Sequence, residues 1–170
     1  MFKCMSASSR EIFSAGYALA YREARRELED QERFVGELRG RAGTLIAAAA
    51  IATSFFGGQT LTEHGVGAVG WVAIGCFVLL GFTVLLMLWP RRDWAFSLGP
   101  EDFIATYLEP VDGNPMELHL VERDLALHMG HSIELNREQL YALVTTFRFG
   151  TLLLVIEVLA WVVALVAGVD

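Results

Sequence analysis

The chain has 170 residues, 54% of them hydrophobic and only 19% charged, with a formal net charge of −7. Soluble domains carry about 45–50% apolar and about 25% charged residues, so this composition disfavours an ordinary soluble globule. The acidic balance gives no electrostatic case for nucleic-acid binding.

The excess apolar content is gathered into three blocks, the pattern of a chain that crosses a bilayer. The first residues, MFKCMSASSRE, lack the apolar stretch of a signal peptide, so the first membrane helix is expected to direct insertion itself. Residues 8–41 read as one amphipathic helix. Ser8 with Glu11 fits a capping box, each side chain satisfying a free backbone N–H of the other. Ile12, Leu19, Leu28, Phe34, Val35 and Leu38 recur near helical spacing, with a gap between Leu19 and Leu28. The opposite face offers Glu29–Arg33 and Arg33–Glu37 pairs at four-residue separation. No proline separates it from the first span, so this helix is expected to run on into that span, bending if anywhere at Gly40 or Gly43.

The first span covers residues 42–61 and is rich in alanine and glycine. Small residues let helices approach closely, and Thr53 and Ser54 offer hydroxyls for bonds across an interface. The preferred reading is a central packing helix; a pore-facing helix is the alternative. An outer loop at 62–65 has no Lys or Arg. The second span, 66–89, carries Trp71 near its outer end and Trp89 at its inner end, where amphipathic rings favour the headgroup layer. Pro90 stops that helix, and Arg91 and Arg92 pin its exit against an anionic leaflet. Each span is close to the ~20 residues that cross a ~30 Å hydrocarbon core. Of the two cysteines, Cys4 lies near the N-terminus and Cys76 inside the second span, a placement that disfavours a disulfide between them.

Residues 90–148 form the second polar region. Trp94, Phe96 and Leu98 alternate, as in a short strand or a segment lying in the interface. A small helix is expected between Pro100 and Pro110, then a turn at Asp112-Gly113-Asn114. Asn114 caps a second long helix, with Pro115 at its first position and Glu117 at its third. Leu118, Val121, Leu125, Met129, Leu140, Leu143 and Phe147 give it an apolar stripe. It is expected to run without a break into the third span, 149–169, and to pack beside the N-terminal helix outside the bilayer. Neither stripe has a large partner within so short a chain, which predicts self-association; a monomeric helix pair is the alternative.

Three spans place all thirteen cations on one side, as the positive-inside rule requires of a cytoplasmic face. The expected topology has the N-terminus in the cytoplasm and the C-terminus outside. Arg41, Trp71, Trp89, Arg91, Arg92 and Arg148 are its interface anchors. The fold class is therefore an all-α integral membrane protein with three transmembrane helices, the long cytoplasmic helices being continuous with spans one and three.

Glu157 stands near the middle of the third span, and no span contains a basic residue. An intramembrane carboxylate is costly, and such groups usually face a bundle interior or water. Two readings follow: a ring of carboxylates lining a cation path in an oligomer, with Thr53 and Ser54 as further pore-facing polar groups; or a helix-joining group bonded to Thr53, Ser54 or a backbone carbonyl. Asp124, His128 and His131 share a helical face and are the weak candidates for a metal, but a zinc site needs three or four supported ligands, so a solvated or pH-sensitive face is the better reading. No phosphate-binding loop, nucleophile elbow, zinc-protease helix or kinase signature occurs. The expectation is no enzyme and no cofactor.

The amphipathic helix, the span RAGTLIAAAAIATSFFGG, a second span ending in WPRRD, and LNREQLYALVTTFRFG leading into a hydrophobic tail resemble the small transmembrane effectors of bacterial anti-phage systems, of the SLATT and Pycsar membrane-effector kind. That resemblance implies an oligomeric inner-membrane protein that breaches the membrane when a nucleotide signal or partner protein triggers it. The leading expectation is a homo-oligomeric, channel-like or membrane-perturbing protein gated through a cytoplasmic helical stalk. The alternative is a non-conducting scaffold or accessory subunit that docks a partner through the same helices.

Overall fold

The computed structural model describes residues 7–63, 67–89, 100–108 and 116–167, apart from the side chains of residues 7–10, 61, 63, 100 and 102. Several expected features lie outside those residues: the Ser8 side chain of the capping box, Cys4, the loop residues His64 and Gly65, Pro90, Arg91 and Arg92, the alternating Trp94, Phe96 and Leu98, the turn at 112–114 and the Asn114–Pro115 cap.

The described residues form helix α1, Ala7–Glu63; α2, Ala68–Leu88; a short α3, Pro100–Phe103, continuing as a π-helical turn, Ile104–Leu108; and α4, Leu118–Ala167. No strand occurs among them. Three of these helices are long and apolar enough to cross a membrane, and the chain is a multi-pass helical protein. α1 runs through Gly40 and Gly43 without interruption. It also extends past the expected end of the first span, and in that last turn the Thr62 hydroxyl donates back to the Gln59 carbonyl at 2.9 Å.

α4 begins three residues later than Pro115. Met116 and Glu117 are not helical; the Met116 N–H donates to the Tyr107 carbonyl at 3.3 Å, while the Glu117 carbonyl accepts from Leu120 and Val121. Glu117 is thus the residue preceding the helix and not its third position.

The chain divides into two compact units. One comprises Met1–Phe34 and Arg92–Gln139, the other Val35–Arg91 and Leu140–Asp170. In the first, Tyr107, Val121 and Leu125 form a core against which Tyr21 of α1 and Phe103 of α3 pack. Gln31 of α1 donates to the Ile133 carbonyl of α4 at 3.4 Å. Part of each polar-region stripe therefore finds cover within the chain: Leu28, Val121 and Leu125 are buried. Ile12, Leu19 and Leu118 are 69%, 55% and 74% exposed and remain uncovered. Among the described residues of α1 the exposed ion pairs are Arg25–Glu29 at 2.9 Å and Glu37–Arg41 at 3.4 Å, in place of the pairs expected on Arg33. Long side chains on one solvated face have several partners in reach, and solvent screening leaves each such pair little weight.

The second unit contains all three apolar blocks. Ala49, Cys76, Leu80 and Leu153 make one core cluster, and Ala73, Ala160 and Trp161 another. Contacts fix the directions of the helices. A Cβ on Gly150 would meet Leu45 at 3.1 Å, and Thr53 and Gly57 meet Glu157 and Trp161 four residues apart on each helix. α1 and α4 accordingly run parallel, in a constant register. Phe56 packs with Ala73 whereas Ile46 lies near Gly81, so α2 runs antiparallel to α1. This up–down–up order is the one that three crossings produce.

The buried positions recur every seventh residue. On α1 they are Leu28, Val35, Ala42 and Ala49; on α2, Ala73, Leu80 and Met87; on α4, Asn136, Leu143, Gly150 and Glu157. A strict seven-residue seam is the pattern of left-handed coiled-coil packing. Glu157 occupies a seam position, which is why it is enclosed.

Candidate functional site

The site is built from two facing pairs at helical spacing. Thr53 and Gly57 of α1 oppose Glu157 and Trp161 of α4, and residues four apart lie on one helical face. The Trp161 indole N–H donates to the Thr53 hydroxyl oxygen at 3.2 Å, and that hydroxyl donates to Glu157 Oε1 at 2.5 Å. Both bonds run towards the carboxyl group. Glu157 is fully buried and Trp161 is 1% exposed. Gly57 supports the indole: a Cβ there would stand 3.1 Å from Trp161 Cη2.

Glu157 Oε2 is buried and has no hydrogen-bond partner among the described residues. An unsatisfied buried polar atom costs roughly 1–3 kcal/mol. Within a span that has no cation, the carboxyl group is thus half satisfied, through one oxygen only. The arrangement can hold or release a proton at Oε2, and it joins α1 to α4 through Thr53.

Of the residues singled out in sequence, Thr53 and Glu157 are brought together. Ser54 is exposed and faces away from this site. Trp161 and Gly57 were not singled out as members of it. Their signal was the spacing: Trp161 follows Glu157 by one turn, and Gly57 follows Thr53 by one turn. Trp71 on α2 and Trp89 just past its end are 65% and 62% exposed. Arg41 is exposed and paired with Glu37, and Arg148 is exposed. Cys76 is a buried free thiol.

Asp124, His128 and His131 do not assemble into one site. Asp124 accepts a hydrogen bond from the Tyr107 hydroxyl at 2.5 Å, while both histidines are exposed. No group of three or more potential ligands occurs among the described residues.

The Tyr107 contact has a measurable consequence. The bond to Asp124, then burial, then the nearby negative charge push the phenol up to about 12 from an ordinary 10.0. The folded state holds this proton more tightly than the unfolded chain does. Its stabilisation is therefore complete below pH 10 and drains away as pH rises towards 12. With the Asp124 end open to solvent, the contribution is about 1–2 kcal/mol. In an alkaline titration followed by ellipticity, Tyr107→Phe should lose stability at pH 8 and flatten the further loss between pH 10 and 12. An unchanged alkaline profile would show the bond to be without weight.

Comparison with protein-family profiles, with curated proteins and with solved structures finds no match to this chain.

Proposed function

We propose that the protein is a homo-oligomeric, channel-like or membrane-perturbing protein of the bacterial inner membrane, held closed by the Glu157–Thr53–Trp161 contact. The N-terminus lies in the cytoplasm and the C-terminus outside, with the polar parts of α1 and α4 forming the stalk that receives a cytoplasmic protein or nucleotide signal. In this respect it resembles the small membrane effectors of anti-phage defence. The observation that carries the reading is the enclosed carboxyl group with one oxygen unpartnered. A helix joint alone is served by serine or asparagine at lower cost, and ionisable residues inside a membrane usually mark an ion or proton path. Opening α4 away from α1 would present Glu157 to water.

The test is ion flux from liposomes holding the purified chain. Thr53→Val removes the hydroxyl that anchors Oε1, so it should leak faster than wild type at equal protein density. Glu157→Gln in the Thr53→Val background should reduce the cation selectivity of that leak. Vesicles as tight as protein-free ones, for wild type and Thr53→Val alike, would remove the channel reading.

A second reading has its own support. Ile12, Phe13 and Leu19 on α1, and Leu118, Leu127 and Leu135 on α4, are large apolar residues exposed outside the apolar blocks. Such surface suits a non-conducting scaffold that docks a partner protein. Cross-linking in native membranes separates the two: ladders of this chain alone favour the effector, a dominant foreign partner the scaffold.

A further inference from the structure

The second unit carries a groove of about 440 Å³ whose walls come from α2 and α4, among them Leu79, Phe82, Leu86, Thr145 and Phe149. It lies at one particular depth. Phe82 and Leu86 precede Trp89 by one to two turns, and Thr145 precedes the charge-free block that opens at Phe149. The groove therefore spans the boundary between headgroups and acyl chains, on the side where the cations stand. A space of this size facing hydrocarbon is filled by lipid, since an empty void forfeits the dispersion contacts of its whole lining. Its lining is mostly leucine and phenylalanine, with Thr83 between them on α2 and Thr145 and Thr146 on α4, nearer the cations.

Arg148 supplies the charge. It is exposed, and with Thr145 and Phe149 it occupies one face of α4 at three- and four-residue spacing. It is also the last cation before Glu157. A long cationic side chain at this level extends towards the headgroup layer while its stem stays in apolar surroundings. We infer that the α2–α4 groove is a binding site for an anionic glycerophospholipid, with one acyl chain against Phe82, Leu86 and Phe149 and the phosphate at Arg148. The occupant is a bilayer lipid and not free phosphate, because the lining is overwhelmingly apolar. The inference is independent of whether the protein conducts.

Native mass spectrometry of the full chain in detergent tests it, using phosphatidylglycerol and phosphatidylcholine of identical acyl chains. Wild type should retain phosphatidylglycerol about fivefold better, the effect of one interfacial cation of ~1 kcal/mol. Arg148→Gln should equalise the two lipids while still retaining both. Leu86→Trp, which fills the groove, should lower retention of both; Thr145→Trp is the second groove-filling variant should Leu86→Trp fail to fold. Arg137→Gln, on the same helix beside Glu134, should leave retention unchanged. Equal retention of the two lipids by wild type would overturn the inference. So would a preference that survives Arg148→Gln, or retention that survives the filled groove.

Discussion

Gly57→Leu should cost the folded state about 2–3 kcal/mol, whereas Gly58→Leu, its neighbour in sequence, should cost almost nothing. A Cβ on Gly57 stands 3.1 and 3.2 Å from two atoms of the Trp161 ring, while one on Gly58 meets nothing within 4 Å. The ring has little freedom to yield. It is rigid, 1% exposed, and tied at its nitrogen to Thr53. A larger residue at 57 must therefore push α1 off α4 and break that bond. At position 58 the leucine meets only lipid, and helix propensity favours it over glycine by roughly 0.5–1 kcal/mol. Thermal unfolding in micelles reads both variants. Equal losses at the two positions would mean that the Gly57–Trp161 contact does not hold the helices together.

The second large effect concerns Glu157, and its sign depends on the substitution. Glu157→Ala should lose about 2–4 kcal/mol, because it leaves a cavity at a fully buried seam position. Glu157→Gln keeps an oxygen for Thr53 and should fall within about 1 kcal/mol of wild type. Glu157→Leu should match or exceed wild-type stability, since it fills the same space and removes the unpartnered Oε2. The Thr53 hydroxyl can then turn to the carbonyl of its own preceding turn. A leucine variant that is stable yet silent in the flux assay would separate the carboxyl group's task from its place in the packing. If leucine proved as damaging as alanine, Oε2 would have a partner essential to the fold.

The three spans were legible because each is a run of apolar residues long enough to cross a bilayer, and the two unbroken long helices because no proline interrupts them. The packing register was legible only in part: Leu28, Val35, Val121, Leu125 and Leu143 of the expected stripes are buried, but the rest of the seam was hidden. The seam of α4 passes through Ser132, Asn136, Gly150 and Glu157, and that of α1 through Ala42 and Ala49. None of these registers as a strongly apolar stripe, so the eye follows larger residues such as Ile12, Leu19 and Leu118, which are exposed. Small and polar residues in a seam are what close helix approach within lipid demands. The Thr53–Glu157 bond was among the sequence alternatives because only a few hydroxyls stand at a suitable depth. Trp161 stands two residues past the middle of the third span, where its indole reads as one more apolar group until the facing Thr53 is known. The start of α4 differed because the Met116 N–H is committed to Tyr107, a contact that sequence spacing does not reveal.

The parallel pairing of α1 with α4 has a consequence for how the protein is made. α1 leaves the ribosome first and is the least apolar of the three spanning helices, its alanine-rich block having little tendency to partition into lipid alone. Its partner carboxyl group arrives last, with α4. The nascent chain must therefore pass through a stage in which α1 and α2 are inserted as a hairpin and Thr53 has no Glu157 to meet. Translation halted before α4 emerges should leave a first helix that slips readily out of the bilayer, and synthesis of α4 should then hold it there.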